Sequence, residues 1–220
     1  MNGPHQGQPV ARAGAALSVA AAAVVLVHGR GATAQSILEL ASAFERSDLA
    51  YLAPQARGRT WYLYSFLAPL AQNEPGLSSG LHALGAVLTE IEDAGIPAER
   101  VVLLGFSQGA CLALEYAARH ARRYGGVVGL SGGLLGSGER EGIPPPDDKT
   151  FAYDGDLAGT PVFLGCSDVD PHIPAERVRT SADVLDALGG AVTTRIYEGM
   201  GHTINEDEML FTRTLLDALP

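Results

Sequence analysis

The sequence contains little positive charge and few charged residues of either sign. Only 18% of its 220 residues are Asp, Glu, Lys or Arg, and 25 acidic against 15 basic residues give a formal net charge of −10. This balance disfavours binding to nucleic acid or to an anionic membrane, because both need a basic surface. No long run of like charge is present either, so a charged interaction tail is not expected.

Cysteine is also scarce, with Cys111 and Cys166 as the only two. Two such residues cannot build the disulfide framework of a small secreted domain, and they lack the spacing of metal ligands. Both follow apolar or small-residue segments, which predicts buried free thiols. We therefore expect a reducing compartment, the cytoplasm, and no metal site.

A long hydrophobic run is missing as well. The apolar stretch 13–27 is shorter than the roughly 18 residues expected of a membrane-spanning helix once Ser18 is counted. Its basic start at Arg12 resembles a signal peptide, but it continues without a break into His28-Gly29-Arg30-Gly31. An internal strand over 22–27 is the favoured interpretation, with no insertion into a membrane.

Apolar segments and amphipathic segments alternate along the rest of the chain. Strands are predicted at 22–27, 49–54, 101–106, 126–131, 161–166 and 192–197, and helices at 33–46, 77–94, 107–120, 174–188 and 205–219. The polar, Pro- and Gly-rich residues 1–10 are predicted to be a disordered tail, and 137–159 a surface loop. This alternation predicts a single α/β domain over 1–220, with a mostly parallel, doubly wound sheet and helices on both faces.

The most informative stretch is the strand 101–106, which leads into Gly105-Phe106-Ser107-Gln108-Gly109 and then into a helix. A Gly-x-Ser-x-Gly motif between a strand and a helix is typical of a nucleophile elbow, which exposes a serine hydroxyl at the sheet edge. Glycine suits the two flanking positions because strand and helix approach closely there. Ser107 is therefore a candidate nucleophile, although a plain turn with a surface serine would give the same pattern.

Other polar groups follow neighbouring strands, at the edge where open parallel sheets bind ligands. Asp168 and Asp170 follow 161–166, and His202 follows 192–197. The chain order Ser, Asp, His is that of an α/β-hydrolase triad. His202 can accept the serine proton, a carboxylate can orient its imidazole, and backbone N–H groups of Gln108 and Arg30 can bind a developing oxyanion.

Four segments carry a resemblance to a known family: His28-Gly29-Arg30-Gly31-Ala32, Gly105-Phe106-Ser107-Gln108-Gly109-Ala110, Asp168-Val169-Asp170-Pro171-His172-Ile173-Pro174 and Tyr197-Glu198-Gly199-Met200-Gly201-His202. From about residue 22 to the C-terminus the chain resembles the phospholipase/carboxylesterase family of α/β-hydrolases. The resemblance implies hydrolysis of esters or thioesters through an acyl-serine without a metal or organic cofactor, and it makes a homodimer possible. It also favours Asp170 over Asp168 as the triad acid, since the family's aspartate precedes a Pro-x-hydrophobic-Pro run.

The substrate is less well defined by the sequence. The aromatic residues Trp61, Tyr62, Tyr64 and Phe66 are predicted to form an apolar wall of the pocket, with ordinary core packing as the alternative. Arg30 stands where acyl-protein thioesterases often have Leu, which favours a small-molecule ester over a long-chain acyl protein. A non-catalytic module with the same fold, binding a ligand or a partner, is the alternative to an enzyme.

Overall fold

A computed structural model describes residues 3–137 and 151–219. Its strands are β1 (Val10–Gly14), β2 (Ala23–Val27), β3 (Ala50–Pro54), β4 (Val101–Phe106), β5 (Gly126–Leu130), β6 (Pro161–Ser167) and β7 (Ala191–Tyr197). Its helices are α1 (Ala34–Leu38), α2 (Leu40–Ala43), α3 (Gly76–Asp93), α4 (Gln108–Arg119), α5 (Ala175–Ala187) and α6 (Glu206–Asp217). Six of the strands and five helical regions lie where the sequence predicts them.

The seven strands form one sheet in the order β1-β3-β2-β4-β5-β6-β7, and every neighbouring pair is parallel except β1 with β3. The chain proceeds from β2 outward to β3 and then returns to the other side of β2 for β4. The loops that follow β2 and β4 therefore leave the sheet side by side, at its topological switch point. Open α/β sheets bind their ligands at such points.

Helices cover both faces of the sheet, so the predicted doubly wound α/β architecture is confirmed. The strands β2 to β5 are buried at every position, apart from partial exposure at the end of β4, because they are rich in Val, Leu and Ala and carry helices on both sides. One apolar core packs against α3, α4 and α5, and the other against α1 and α6. The alternate side chains of each strand point into one core or the other.

The first residues differ from the predicted tail. Residues 3–9 pack against the domain, and His5 is 4% exposed. Its backbone N–H donates to Ser79 Oγ at 2.8 Å, and its ring Nε2 lies 2.8 Å from the carbonyl oxygen of Trp61. The next residues form the antiparallel edge strand β1. The packing of residues 3–9 and the strand β1 could not be predicted from a composition rich in Pro and Gly. The contacts that order this segment come from residues far along the chain.

Two further segments depart from the sequence interpretation. The helix predicted over 33–46 is divided at Glu39 into α1 and α2. Within this region the hydroxyls of Ser36 and Ser42 donate to backbone carbonyls three residues earlier, a bond that competes with a regular helix. Of the loop predicted over 137–159, residues 138–150 lie outside the described chain, and Leu157 is fully buried in the core.

Candidate active site

Ser107 lies at the sharp turn between β4 and α4. Its backbone adopts φ 56° and ψ −121°, a conformation that is uncommon for a residue with a side chain. Holding a residue in such a region costs about 1–3 kcal/mol, which the surrounding packing must offset. The turn brings the hydroxyl to the carboxyl edge of the sheet, as expected for a nucleophile elbow.

The glycines on either side of Ser107 are required by close backbone contacts. A Cβ atom on Gly105 would collide with the carbonyl oxygen of Gly109, and one on Gly109 would collide with the carbonyl oxygen of Val27. The start of α4 therefore packs directly on the ends of β2 and β4. This contact explains the glycine spacing of the motif in physical terms.

His202 connects the predicted nucleophile with the predicted acid. Its Nε2 lies 2.9 Å from Ser107 Oγ, and its Nδ1 lies 2.7 Å from Asp170 Oδ2. The Asp170 side chain is fully buried, whereas that of His202 is 19% exposed. Three residues from three separate loops thus form a continuous hydrogen-bonded chain.

Asp170 is held in its charged form by its surroundings. Burial alone would raise its pKa, but hydrogen bonds from His202 and from the backbone N–H groups of His172 and Ile173 outweigh that effect and lower the pKa. Both N–H groups donate to Oδ1, at 2.9 and 3.0 Å, which leaves Oδ2 for the imidazole. A carboxylate held in this way can keep the histidine ring in one orientation.

Asp168 occupies a different place from Asp170. Its Oδ1 accepts a hydrogen bond from the backbone N–H of Gly199 at 2.8 Å, and the neighbouring Ser167 Oγ accepts one from Gly201 at 3.0 Å. The end of β6 therefore anchors the loop 198–202 that carries His202. Asp168 makes no direct contact with the imidazole among the hydrogen bonds of the described residues.

The imidazole of His202 also has aromatic neighbours on two sides. Its centroid lies 5.0 Å from that of Phe106 and 4.9 Å from that of His172, which approaches it edge-on. Both rings pack against the imidazole and leave it less room to rotate. The contact between His172 and His202 has no signature in the sequence, because the two rings come from different loops.

The loop after β2 lies directly against the nucleophile. The position of a Cβ on Gly29 would be 3.4 Å from Ser107 Cβ, so the following residue, Arg30, lies at the edge of the same site. Gln108 is the first residue of α4, and the first N–H groups of a helix have no acceptor within the helix. Its side chain turns away from Ser107 to accept from Trp61 N and donate to Tyr62 O, both at 2.8 Å.

A cavity of about 430 Å³ opens beside Ser107, within the size range of small-molecule sites. It is lined by Arg30, Tyr62, Leu63, Tyr64, Ser65, Phe66, Ser107, Gln108, Cys111, His172, Ile173 and His202. Three of the four predicted wall residues thus line the cavity. Leu63, Ser65, Cys111, His172 and Ile173 were missed, although the first two fall within the aromatic stretch that the sequence singled out.

Trp61 is the predicted wall residue that the structure does not bring to the cavity. It is fully buried behind the lining, and its indole Nε1–H donates to the carbonyl oxygen of His28 at 2.9 Å. The His28 ring in turn accepts from the backbone N–H of Ala56 at 3.1 Å, and burial lowers its pKa. Trp61 and His28 therefore stabilise the loop after β2 from the buried side.

The described residues contain no group of three or more His, Cys, Asp or Glu side chains that could hold a metal ion. Cys111 and Cys166 are both buried free thiols, as predicted from the sequence. Among the helices of the described ranges, none is long and apolar enough to cross a membrane.

The sheet topology, the elbow and the Ser-His-Asp chain define an α/β-hydrolase. The model of the Phospholipase/Carboxylesterase family matches residues 15–219. The chain belongs to this family of hydrolases, as the sequence motifs predicted.

Individual relatives agree with this assignment. A crystal structure of a phospholipase/carboxylesterase from Dyadobacter fermentans is 41% identical in sequence, covers 96% of both chains and has a TM-score of 0.87. Acyl-protein thioesterase 1 from Yarrowia lipolytica is 27% identical over 207 residues, 86% of this chain and 87% of that protein. The Gibberella zeae protein of the same name is 37% identical over 117 residues, which span about half of each chain at 53% and 47%.

Proposed function

We propose that this protein is a serine hydrolase that cleaves carboxylic esters of small molecules, and thioesters by the same route, through an acyl-Ser107 intermediate. The observation that carries the proposal is the chain of hydrogen bonds from Ser107 through His202 to Asp170, at 2.9 and 2.7 Å. A serine hydroxyl is a weak nucleophile until a base within hydrogen-bond reach takes its proton.

The first half of the reaction forms the acyl-enzyme. Ser107 Oγ attacks the carbonyl carbon of the ester while its proton passes to Nε2 of His202, and the carbonyl π electrons move onto oxygen. When the tetrahedral intermediate collapses, the bond to the leaving alcohol or thiol breaks. The leaving group takes the proton from His202, so the enzyme is left acylated and with a neutral imidazole.

The second half repeats these steps with water. His202 takes a proton from water, the resulting hydroxide attacks the acyl carbon, and the bond to Ser107 Oγ breaks as the serine regains a proton from His202. A carboxylic acid leaves and the starting enzyme is restored. Water is the only co-reactant, so neither a metal nor an organic cofactor is required.

Asp170 is the orienting acid in this proposal. It accepts the Nδ1–H of His202, which leaves Nε2 free to take the serine proton, and its charge stabilises the imidazolium that forms. The lowered pKa keeps the carboxylate ionised at neutral pH. The role of Asp168 is then to hold the loop that carries His202, through Gly199.

Backbone N–H groups of Arg30 and Gln108 are the proposed oxyanion donors. Gln108 N is free of intrahelical partners because it begins α4. In the loop after β2, Gly31 N already donates to Arg59 O and Ala32 N to Gly29 O. The amide of Arg30 makes no backbone hydrogen bond among those of the described residues, and it directly follows Gly29, which lies against Ser107. Two such donors stabilise the negative charge only as it develops in the transition state.

A small ester fits the cavity better than a bulky one. Its lining combines apolar and aromatic side chains with several polar groups, which suits an ester with an acyl or alkoxy group of modest size. Relatives named as acyl-protein thioesterases make thioesters a second substrate class for the same chemistry. A cytoplasmic location and a homodimer remain predictions, the latter to be tested by light scattering.

The proposal is tested with a fluorophosphonate probe and p-nitrophenyl esters. The protein should be labelled, and Ser107→Ala should abolish labelling and lower ester turnover at least about 10³-fold. Ser42→Ala, which removes an exposed hydroxyl away from the cavity, is the matched control. Excess chelator should leave turnover unchanged.

Two results would contradict the proposal. Full turnover in Ser107→Ala would remove the serine mechanism. Tight binding of a ligand without turnover, together with indifference to the probe, would instead identify a non-catalytic binding module.

A further inference from the structure

Arg30 makes an unusual set of contacts with the segment that borders the cavity. Its guanidinium donates to three consecutive backbone carbonyls: Nη1 to Leu63 at 2.8 Å, and Nη2 to Tyr62 at 3.0 Å and to Tyr64 at 2.7 Å. Residues 62–64, here named the rim segment, belong to no helix or strand. Their carbonyls therefore depend on side chains for hydrogen-bond donors.

The rim segment presents apolar side chains to solvent beside Ser107. Leu63 is 66% exposed and Tyr64 is 51% exposed, and both line the cavity. Exposed large apolar groups at the mouth of a cavity provide a surface for an apolar part of a ligand. The position of these two side chains is set by the backbone that Arg30 holds.

A second polar side chain fastens the far end of this segment. Asn73 Oδ1 accepts from Tyr64 N at 2.8 Å, and its Nδ2 donates to Ser65 O at 2.9 Å. At the near end, Gln108 binds Tyr62 O from the elbow side. Arg30, Gln108 and Asn73 all form hydrogen bonds to the backbone of the rim segment. Of these three side chains, Arg30 contacts all three of the carbonyls.

The same residue contributes to the proposed oxyanion site through its backbone. The amide of Arg30 is a proposed donor, and the next amide, Gly31 N, donates to Arg59 O at 2.7 Å. The loop after β2 is consequently bound to Arg59 through its main chain and to the rim segment through the Arg30 side chain.

We propose that the Arg30 side chain is a positioning residue that sets substrate selectivity by holding the rim segment over the cavity. This inference rests on the proposed function. An ester whose acyl or alkoxy group reaches Leu63 and Tyr64 benefits from the fixed rim, whereas an acetate ester of a small alcohol does not reach it. A planar guanidinium presents its donors on separate nitrogens in a rigid fork that reaches all three carbonyls, whereas a lysine ammonium carries its three donors on one nitrogen.

The test compares Arg30→Met and Arg30→Lys with the unaltered protein. Both substitutions keep the backbone amide and a long unbranched side chain, somewhat shorter than that of arginine, but remove the fork. Turnover is measured over two substrate series: p-nitrophenyl acetate, butyrate and octanoate, and the methyl, butyl and octyl acetates. Arg12→Met is the matched control, since it removes an exposed guanidinium that pairs with Glu90 outside the cavity.

In Arg30→Met, kcat/KM for the preferred longer ester of at least one series should fall about tenfold, mainly through a higher KM. The shortest esters should lose less than about threefold, and Arg30→Lys should recover only part of the loss. Labelling of Ser107 by the fluorophosphonate should persist in each variant, which shows that the site is folded.

The inference is overturned if both Arg30 variants keep the chain-length profile of the unaltered protein, or if all esters lose activity by the same factor. A uniform loss would assign the side chain to support of the oxyanion site alone. These outcomes leave the proposed function intact, because that proposal is tested separately, by ester turnover and probe labelling of the unaltered protein and of Ser107→Ala.

Discussion

Asp168 and Asp170 are two residues apart in sequence and bind to different parts of the same loop. Asp168 accepts the backbone N–H of Gly199, whereas Asp170 lies 2.7 Å from the Nδ1 of His202. One carboxylate holds the backbone that carries the histidine, and the other contacts its ring. Side-chain alternation along a strand cannot separate such a pair, because residues i and i+2 face the same way.

The two aspartates should respond very differently to the same change. Asp170→Asn removes the charge that orients and stabilises the imidazole, and we expect kcat to fall about 10³- to 10⁴-fold. Asp168→Asn keeps an oxygen to accept the Gly199 N–H, so kcat should fall less than about tenfold. Steady-state kinetics of the purified variants provide the measurement. Equal losses would show that the two carboxylates share the catalytic task.

Trp61 and Tyr64 should separate stability from selectivity. Trp61→Phe removes the indole N–H that donates to His28 O and leaves that buried carbonyl without its donor, at a cost of about 1–3 kcal/mol in unfolding free energy. The relative preference of the Trp61→Phe variant among acyl lengths should be unchanged.

Tyr64→Ala, at a half-exposed site, should shift the preference among acyl lengths with little loss of stability. Urea denaturation and an ester series measure the two effects, and the reverse pattern would place Trp61 at the substrate.

Glu208 should make stability depend on pH. It caps α6 by accepting Asn205 N through Oε2, while its buried Oε1 has no partner among the described residues. Burial raises its pKa from 4.5 to about 7. Because the folded state favours the protonated acid, the contribution of Glu208 to unfolding free energy should fall as pH rises from about 4.5 to about 7, by about 3 kcal/mol at most.

Glu208→Gln should flatten this dependence, since the amide cannot ionise and still accepts Asn205 N. The control is Glu206→Gln, an exposed residue in the same first turn of α6. Thermal or urea unfolding at several pH values compares the three proteins. An unchanged slope in Glu208→Gln would mean that this carboxyl does not titrate in the interval.

His5 should contribute to stability although it belongs to a segment that composition marks as a tail. Its Nδ1 accepts from Arg57 N at 3.1 Å, its Nε2 meets Trp61 O, and burial lowers its pKa. His5→Ala leaves both backbone groups unpaired and should cost about 1–3 kcal/mol. His82→Ala, exposed on α3, should cost little.

Acid should also destabilise the protein partly through this residue. The folded state binds the proton of His5 less readily than the unfolded state does, so the contribution of His5 to unfolding free energy should decline as pH falls below about 6.5, opposite in sign to that of Glu208. His5→Ala should weaken that decline, and His28, whose pKa burial also lowers, should account for part of the remainder. An identical decline in His5→Ala and the unaltered protein would contradict this account.

Much of the fold was predictable because its strands are short apolar runs bounded by clear breaks. The elbow could also be predicted from the sequence. The backbone contacts of Gly105 and Gly109 leave no room for a side chain, so the elbow requires glycine at both positions of a short motif. The order of a serine, an aspartate and a histidine then followed from which residues end each strand, whereas the choice of Asp170 over Asp168 came from the family resemblance. These features depend on local sequence and on general rules of α/β topology.

Other features depend on contacts between distant residues and could not be predicted. The strand β1 is stabilised by pairing with β3, and His5 by residues on α3 and near Trp61. The side chains of Arg30 and Gln108 bind the same short segment, and the sequence does not show this. Arg30 is 34 positions from Tyr64, and Gln108 is 46 positions from Tyr62. Trp61 was misassigned for the same reason, since alternation within an irregular segment does not reveal which side chains face inward.

The position of Trp61 provides an optical signal inside the molecule. It is the single tryptophan of the chain, and its ring centroid lies 5.0 Å from that of His28 and 5.3 Å from that of His5. Its backbone is bound by Gln108, next to the proposed nucleophile. Intrinsic tryptophan fluorescence therefore depends on the environment where the N-terminal segment, the loop after β2 and the elbow meet. A rearrangement of this region on ligand binding can be followed without attaching a dye.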